Sequence, residues 1–159
     1  MSKDITIYSD GSAKGNPGKG GFATILISGR HRKEISCGYR LTTNNRMELL
    51  GVITGLEALK VPQCRVTVYT DSKYVSDAVE KGWLRNWVKI GFKNKKNKDL
   101  WLRYLDIAKN HMVHFIWVKG HANNAENNIC DRLAVAASER PNLLIDEWYE
   151  NNKEKEELF

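Results

Sequence analysis

An α/β fold built on a mixed sheet follows from three features of the chain. Three strand-like runs open it with no helix between them (residues 4–10, 21–28 and 32–41). Two later strand-like runs, 64–70 and 112–118, are each reached through helix-patterned sequence. Strands joined directly can be antiparallel, whereas strands joined through helices pair in parallel, so the sheet is mixed and helices cover its faces.

Each element has its own warrant. Residues 4–10 alternate as a strand, and the Gly-rich stretch Gly11 to Gly21, with Asn16-Pro17-Gly18 inside it, reads as a turn and loop. A connection containing Gly29 joins 21–28 to 32–41 as a hairpin or meander. Leu49, Val52, Ile53, Leu56 and Leu59 recur on one helical face, which predicts a helix over about 45–60. After the strand 64–70 a helix is expected past Asp71-Ser72, a short one around Trp83 to Val88, and another over Leu100 to Lys109. The strand 112–118 precedes a helix over 127–139. With no internal repeat or linker, one domain over 1–145 is expected, followed by an acidic C-terminal tail, 146–159, read as solvated.

Bulk properties narrow the function. The 159 residues suit one domain with a sizeable core. Lys+Arg 25 against Asp+Glu 19 gives a net charge of +6, compatible with a nucleic-acid partner. Cys37, Cys64 and Cys130 are odd in number and widely spaced, which argues against a disulfide framework and a cysteine zinc site and for reduced thiols in the cytoplasm. No signal-peptide pattern opens the chain, and no apolar run approaches the roughly 20 residues of a membrane helix. Nothing indicates a dimer, so a monomer is expected.

Four acids carry the chemistry: Asp10, Glu48, Asp71 and Asp131. Asp10 and Asp71 each end a predicted strand, and parallel neighbours would place them side by side at the carboxyl edge of the sheet. Glu48 lies in the first turn of its helix and Asp131 on the last helix. Singly, each has a bland reading: a turn at Asp10-Gly11, a helix cap at Glu48 three residues after Asn45, an N-cap at Asp71, a solvated helix position at Asp131. Together they could form an all-oxygen ligand set, which suits Mg²⁺ or Mn²⁺ and leaves room for phosphate oxygens.

The flanking residues are more specific. Tyr8-Ser9-Asp10-Gly11-Ser12, Gly15-Asn16-Pro17-Gly18, Thr42-Thr43-Asn44-Asn45-Arg46-Met47-Glu48-Leu49, Tyr69-Thr70-Asp71-Ser72 and Trp117-Val118-Lys119-Gly120-His121 follow one another in order. In this the chain resembles bacterial type 1 ribonuclease H over nearly its whole length. The resemblance implies a five-stranded mixed sheet in the order 3-2-1-4-5. It also implies an endonuclease that hydrolyses the RNA strand of RNA–DNA hybrids, leaving 5′-phosphate and 3′-hydroxyl ends. By the same resemblance Asp10, Glu48, Asp71 and Asp131 are the metal ligands, and His121 assists proton transfer or product release. Two ions about 4 Å apart can activate water and stabilise the leaving oxygen, so no covalent nucleophile is needed.

Substrate contacts are expected from short polar residues and a basic segment. The backbone of Gly11 and Ser12, with Asn16, Asn44 and Asn45, lies near the carboxylates, and the resemblance puts these residues in the minor groove, where the 2′-hydroxyl marks RNA. Thr43 and Asn16 resemble residues that hold a phosphate of the DNA strand. From Lys81 to Arg103 basic residues dominate, including Lys89, Lys95, Lys96 and Lys98, with Trp83 and Trp87 interleaved. This resembles the family's basic protrusion, with the tryptophans expected partly to dock it on the domain.

The chain departs from the family pattern twice. The stretch after Phe92 is short, which implies a smaller handle. Asn128 stands where Glu is usual, which bears on the second metal and on product release, and Glu126 is the nearest acid that could substitute. Competing readings are a non-catalytic hybrid-binding module, which loss of a carboxylate would have favoured, a transposase- or resolvase-like nuclease, which lacks the Thr-Thr-Asn-Asn-Arg-Met-Glu segment, and a domain detached from a reverse transcriptase.

Overall fold

In the computed structural model residues 3–119 and 124–158 are described, the last four by backbone alone. Strands β1 (Asp4–Ala13), β2 (Gly18–Ser28), β3 (His31–Thr42), β4 (Arg65–Thr70) and β5 (Met112–Trp117) form a sheet in the order 3-2-1-4-5. The directly connected pairs, β1–β2 and β2–β3, are antiparallel. The pairs reached through helices, β1–β4 and β4–β5, are parallel. Helix α1 (Asn44–Glu57) joins β3 to β4, and α2 (Lys73–Glu80), α3 (Trp83–Lys89) and α4 (Lys98–Ala108) fill the crossover to β5. Helices α5 (Ala125–Ser138) and α6 (Glu147–Leu158) end the chain.

Strand alternation sorts the core onto two faces. Ile5, Ile7, Phe22 and Leu26 join the large cluster that contains Leu49, Val52, Ile53 and Leu56 of α1 and Trp101 of α4. Ala23 and Ile25, with Tyr8 and Ile27, meet Cys130 and Ala134 of α5 on the other face. A Cβ at Gly38 would lie 2.0 Å from the Ala137 carbonyl oxygen, so the bare glycine is what lets α5 lie flat on β3. The three cysteines are free thiols, two of them buried. Among the described residues no helix is long and apolar enough to cross a membrane.

The structure departs from the sequence expectations in three places. β1 continues past Asp10 to Ala13 and β2 begins at Gly18, because their antiparallel pairing runs on through Ala13 opposite Gly20. The expected long glycine loop shrinks accordingly. The two cap readings also fall elsewhere: Thr43 caps α1 by accepting from the Arg46 N–H, and Ser72 caps α2 by accepting from the Val75 N–H. Glu48 and Asp71 are therefore left without a capping role.

The third departure is at the C-terminus, where the acidic segment read as solvated starts inside the fold. Asp146 and Tyr149 are buried. The Asp146 carboxylate accepts from Arg46 at 2.7 and 3.0 Å and from the Thr42 hydroxyl at 2.8 Å. Glu150 accepts two bonds of 2.9 Å from Arg40, and the Arg46 guanidinium lies 5.0 Å from the Trp148 ring centre. These contacts hold α6 against β3 and the start of α1.

Candidate active site and nucleic-acid surface

β1 and β4 pair with Asp4 opposite Arg65 and Tyr8 opposite Tyr69. Continued by two residues, the same register sets Asp10 opposite Asp71, just beyond the end of β4. Helix α1 comes to them through Gly11. A Cβ there would lie 2.3 Å from the Glu48 nitrogen and 2.4 Å from the Met47 carbonyl carbon. Only glycine allows this approach, which delivers Glu48 to the same spot. We predict that Gly11→Ala pushes α1 away, lowers stability by about 1–3 kcal/mol as other overpacked sites do, and reduces metal affinity. A melting curve and a metal titration read both effects; a variant as stable and as tight as the parent would contradict the close packing.

Asp10, Glu48 and Asp71 each offer a carboxylate oxygen, and these oxygens lie within 4.8 Å of one another. Asp131 stands outside this group, exposed on α5, but shares the cavity they line. The cavity measures about 460 Å³, and Ser12, Asn44 and Asn45 also line it. Burial pushes the Asp10 carboxyl up to about 8; a hydrogen bond with Glu48 opposes this, and the charges of Asp71 and Asp131 add to the rise. Burial and the charges of Asp10 and Asp71 hold Glu48 well above the ordinary carboxylate range, with the Gly11 N–H opposing. Glu48 Oε2 is buried with no hydrogen-bond partner among the described residues. Crowded carboxylates with an orphaned oxygen fit a divalent cation, whose charge removes the repulsion and whose coordination uses the free lone pairs.

Asn44 is locked in place: its Oδ1 accepts from the Ala13 N–H at 2.5 Å, and its own N–H donates to Asn16 Oδ1 at 2.9 Å. A second cavity, about 200 Å³, lies beside the first, lined by Asn16, Thr43, Asn45 and Lys96 among others. Asn45 lines both cavities, so the start of α1 is their common wall.

The basic segment divides into two parts. Trp87 packs into an aromatic cluster, with ring centres 6.2 Å from Tyr74 and 5.8 Å from Trp101, and this docks α3 on the domain. Trp83 stays exposed beside Lys81. Lys89, Lys95, Lys96 and Lys98 are exposed. Arg103 is not part of that free charge, because it is paired with Glu57. Asp99, the segment's acid, is turned inward to Arg46 at 2.7 Å.

Several wall residues escaped the sequence reading. Lys73, Tyr74 and Asn124 line the larger cavity without belonging to a motif that marks them, and Lys119, inside the Trp117-Val118-Lys119-Gly120-His121 motif, lines it without an expected role. Asn127 lines it too, with a buried amide oxygen that has no partner among the described residues; its only signal in the sequence was its place beside Asn128, which also reaches the cavity. Glu126 is paired with Arg32 at 3.1 Å and is not among the residues that line the larger cavity. His121 lies outside the described residues.

Known proteins carry the same pattern. The RNase H family model matches residues 2–139. A ribonuclease H of Rippkaea orientalis is 54% identical over 94% of each chain. One of Desulforamulus reducens is also 54% identical, over 91% of this chain and 93% of its own. Among solved structures, LC9-RNase H1 superposes with a TM-score of 0.78 at 30% identity, covering 87% of this chain and 73% of its own. Cleavage of hybrid RNA is the function of this family, which is metal-dependent, and the acidic cluster fits a two-metal active site. The sheet order, the carboxylate cluster and the family match over residues 2–139 agree, and the chain belongs to the RNase H family.

Proposed function

We propose that the chain is an endonuclease that hydrolyses the RNA strand of RNA–DNA hybrids, using two Mg²⁺ ions and leaving 5′-phosphate and 3′-hydroxyl ends. One observation carries the reading: an acidic, metal-suited cavity and a basic cavity share the start of α1 as a wall, so two strands can be held at once. Bound cations would activate water and stabilise the leaving 3′-oxygen. Asp10, Glu48, Asp71 and Asp131 hold those cations, and His121 assists proton transfer. Asn44, with its Oδ1 occupied by Ala13, keeps its amide N–H donors for a 2′-hydroxyl, helped by Asn45 and the backbone of Gly11 and Ser12. Thr43, Asn16 and Lys96 hold a phosphate of the DNA strand in the smaller cavity. The exposed Lys89, Lys95 and Lys98, with Trp83, meet the backbone farther along, while Trp87 supports them from beneath. The protein works as a monomer in the cytoplasm.

Labelled RNA–DNA hybrid, duplex RNA and duplex DNA, each incubated with and without Mg²⁺, test this directly. Cutting confined to the RNA of the hybrid and dependent on metal is expected. Equal cutting of duplex RNA, or cutting without metal, would refute it. For the basic segment, reversing charge at Lys95, Lys96 and Lys98 together is expected to weaken hybrid binding and lower its salt slope by about one for each phosphate no longer neutralised. An unchanged salt slope would mean that these lysines are merely solvated.

A further inference from the structure

Helix α6 contributes Tyr149 and Lys153 to the wall of the smaller cavity, opposite residues that come from three other segments. The two lie one turn apart and so share a helix face. Tyr149 is buried and Lys153 half-buried. The helix beneath them is fixed by the bonds of Asp146 to Arg46 and Thr42 and of Glu150 to Arg40.

The charges around this cavity are one-sided. Of the nearby acids, Asp99 and Asp146 are paired with Arg46, and Glu150 is paired with Arg40, though its charge also acts on Lys153. Among the described residues its lining holds two lysines, Lys96 and Lys153, and no carboxylate. Neither lysine has an ion pair among the described residues, whereas Lys14, Lys81 and Lys109 do. Two ammonium groups over Asn and Thr side chains match the oxygens of a phosphate diester. Because Asn45 lines both cavities, a nucleic acid seated at the carboxylates can present a backbone phosphate to this one.

We propose that α6 is part of the substrate surface, with Lys153 a cationic contact to a backbone phosphate of the strand that is not cut. This rests on the hybrid-cleaving reading. The C-terminal helix thereby acquires a function in binding. The buried bonds of Asp146 and the Arg40–Glu150 pair hold the helix that carries Lys153 at the cavity.

The test is hybrid binding by the full chain carrying Asp10→Asn, measured across a range of salt concentrations, with Lys153→Ala, Lys153→Glu and Lys153→Arg added in turn. Alanine is expected to weaken binding several-fold and to lower the salt slope by about one, glutamate to do more, and arginine to restore most of the affinity. A helical signal and melting temperature unchanged by Lys153→Ala distinguish removal of a phosphate ligand from damage to the helix. Hybrids bearing one neutral methylphosphonate at successive positions then locate the contact. At one position of the DNA strand the alanine variant should bind as well as its parent. Equal affinity and slope for all the variants would overturn the proposal, as would a position effect confined to the RNA strand. If the unmodified protein cuts hybrid and Lys153→Ala matches it in KM, only the role of α6 falls. If it cuts no hybrid at all, the hydrolase reading falls first.

Discussion

Replacing Asp10 with Asn is expected to stabilise the metal-free protein at pH 8 while abolishing hybrid cleavage. Burial, with the charges of Asp71 and Asp131, raises the Asp10 carboxyl from 3.8 to about 8. The folded state therefore holds this proton more tightly than the unfolded state does. The associated stability is complete below about pH 4 and is lost as the pH rises through about 8. By pH 8 the loss amounts to several kcal/mol. Asn keeps the shape and removes the charge, so the gain over the parent should grow from acid to pH 8. Saturating Mg²⁺ should stabilise the parent and close the gap, since a ligand at 100 times its Kd contributes about 2.7 kcal/mol. Cleavage should fall about a thousandfold or more, the effect of removing several kcal/mol of transition-state stabilisation. Melting curves from pH 4 to 8, with and without Mg²⁺, read the balance. A gap that is flat with pH, or indifferent to metal, would show that Asp10 is not the strained group of the site.

Arg46→Ala is expected to be the most destabilising single change near the site. The guanidinium is 2% exposed. Its five N–H donors are all used: Nε and Nη2 on Asp146, Nη1 and Nη2 on Asp99, and Nη1 on Asn97 at 3.4 Å. Removing it strands two carboxylates, one of them buried, at a cost of about 3–5 kcal/mol, or about 10 °C in melting temperature for a chain of this size. Lysine should not rescue it, because three donors on a flexible stem cannot reproduce a planar fork. The consequence reaches function, since Arg46 ties α1, which carries Glu48, to the start of α4 and to α6. Amide exchange in α6 and around residues 97–100 should accelerate together. Asp146→Asn should cost less in the Arg46→Ala background than alone; strictly additive losses would show that the three groups do not act as a unit.

Much of this protein is legible along the chain. Strands β1 to β5 and helices α1 to α5 announce themselves by period and by turn residues, since each buries a face that local sequence must supply. The four carboxylates stand out because acids beside apolar strands and helices need compensation, and their flanking motifs mark them together. Caps and strand ends are less legible. Thr43, Asn44 and Asn45 are all competent near a helix start, and the folded chain makes Thr43 the cap through the bond it accepts from the Arg46 N–H. β1 runs to Ala13 because β2 pairs with it there, a contact between segments that composition does not announce.

Local sequence specifies the set of elements, their order, the family pattern and the identity of the acids. Tertiary structure decided which oxygens converge: three carboxylates within 4.8 Å, with Asp131 set apart on the wall. It decided as well that the acidic C-terminal segment begins within the fold. A run such as Glu147 to Leu158 has little apolar content to bury, so its period predicts nothing firm. It is placed by Asp146 and Glu150, whose partners Arg46 and Arg40 lie 100 and 110 residues earlier in the chain. Charge pairing at that separation leaves no periodic trace in a single sequence, and only the folded chain brings the partners together.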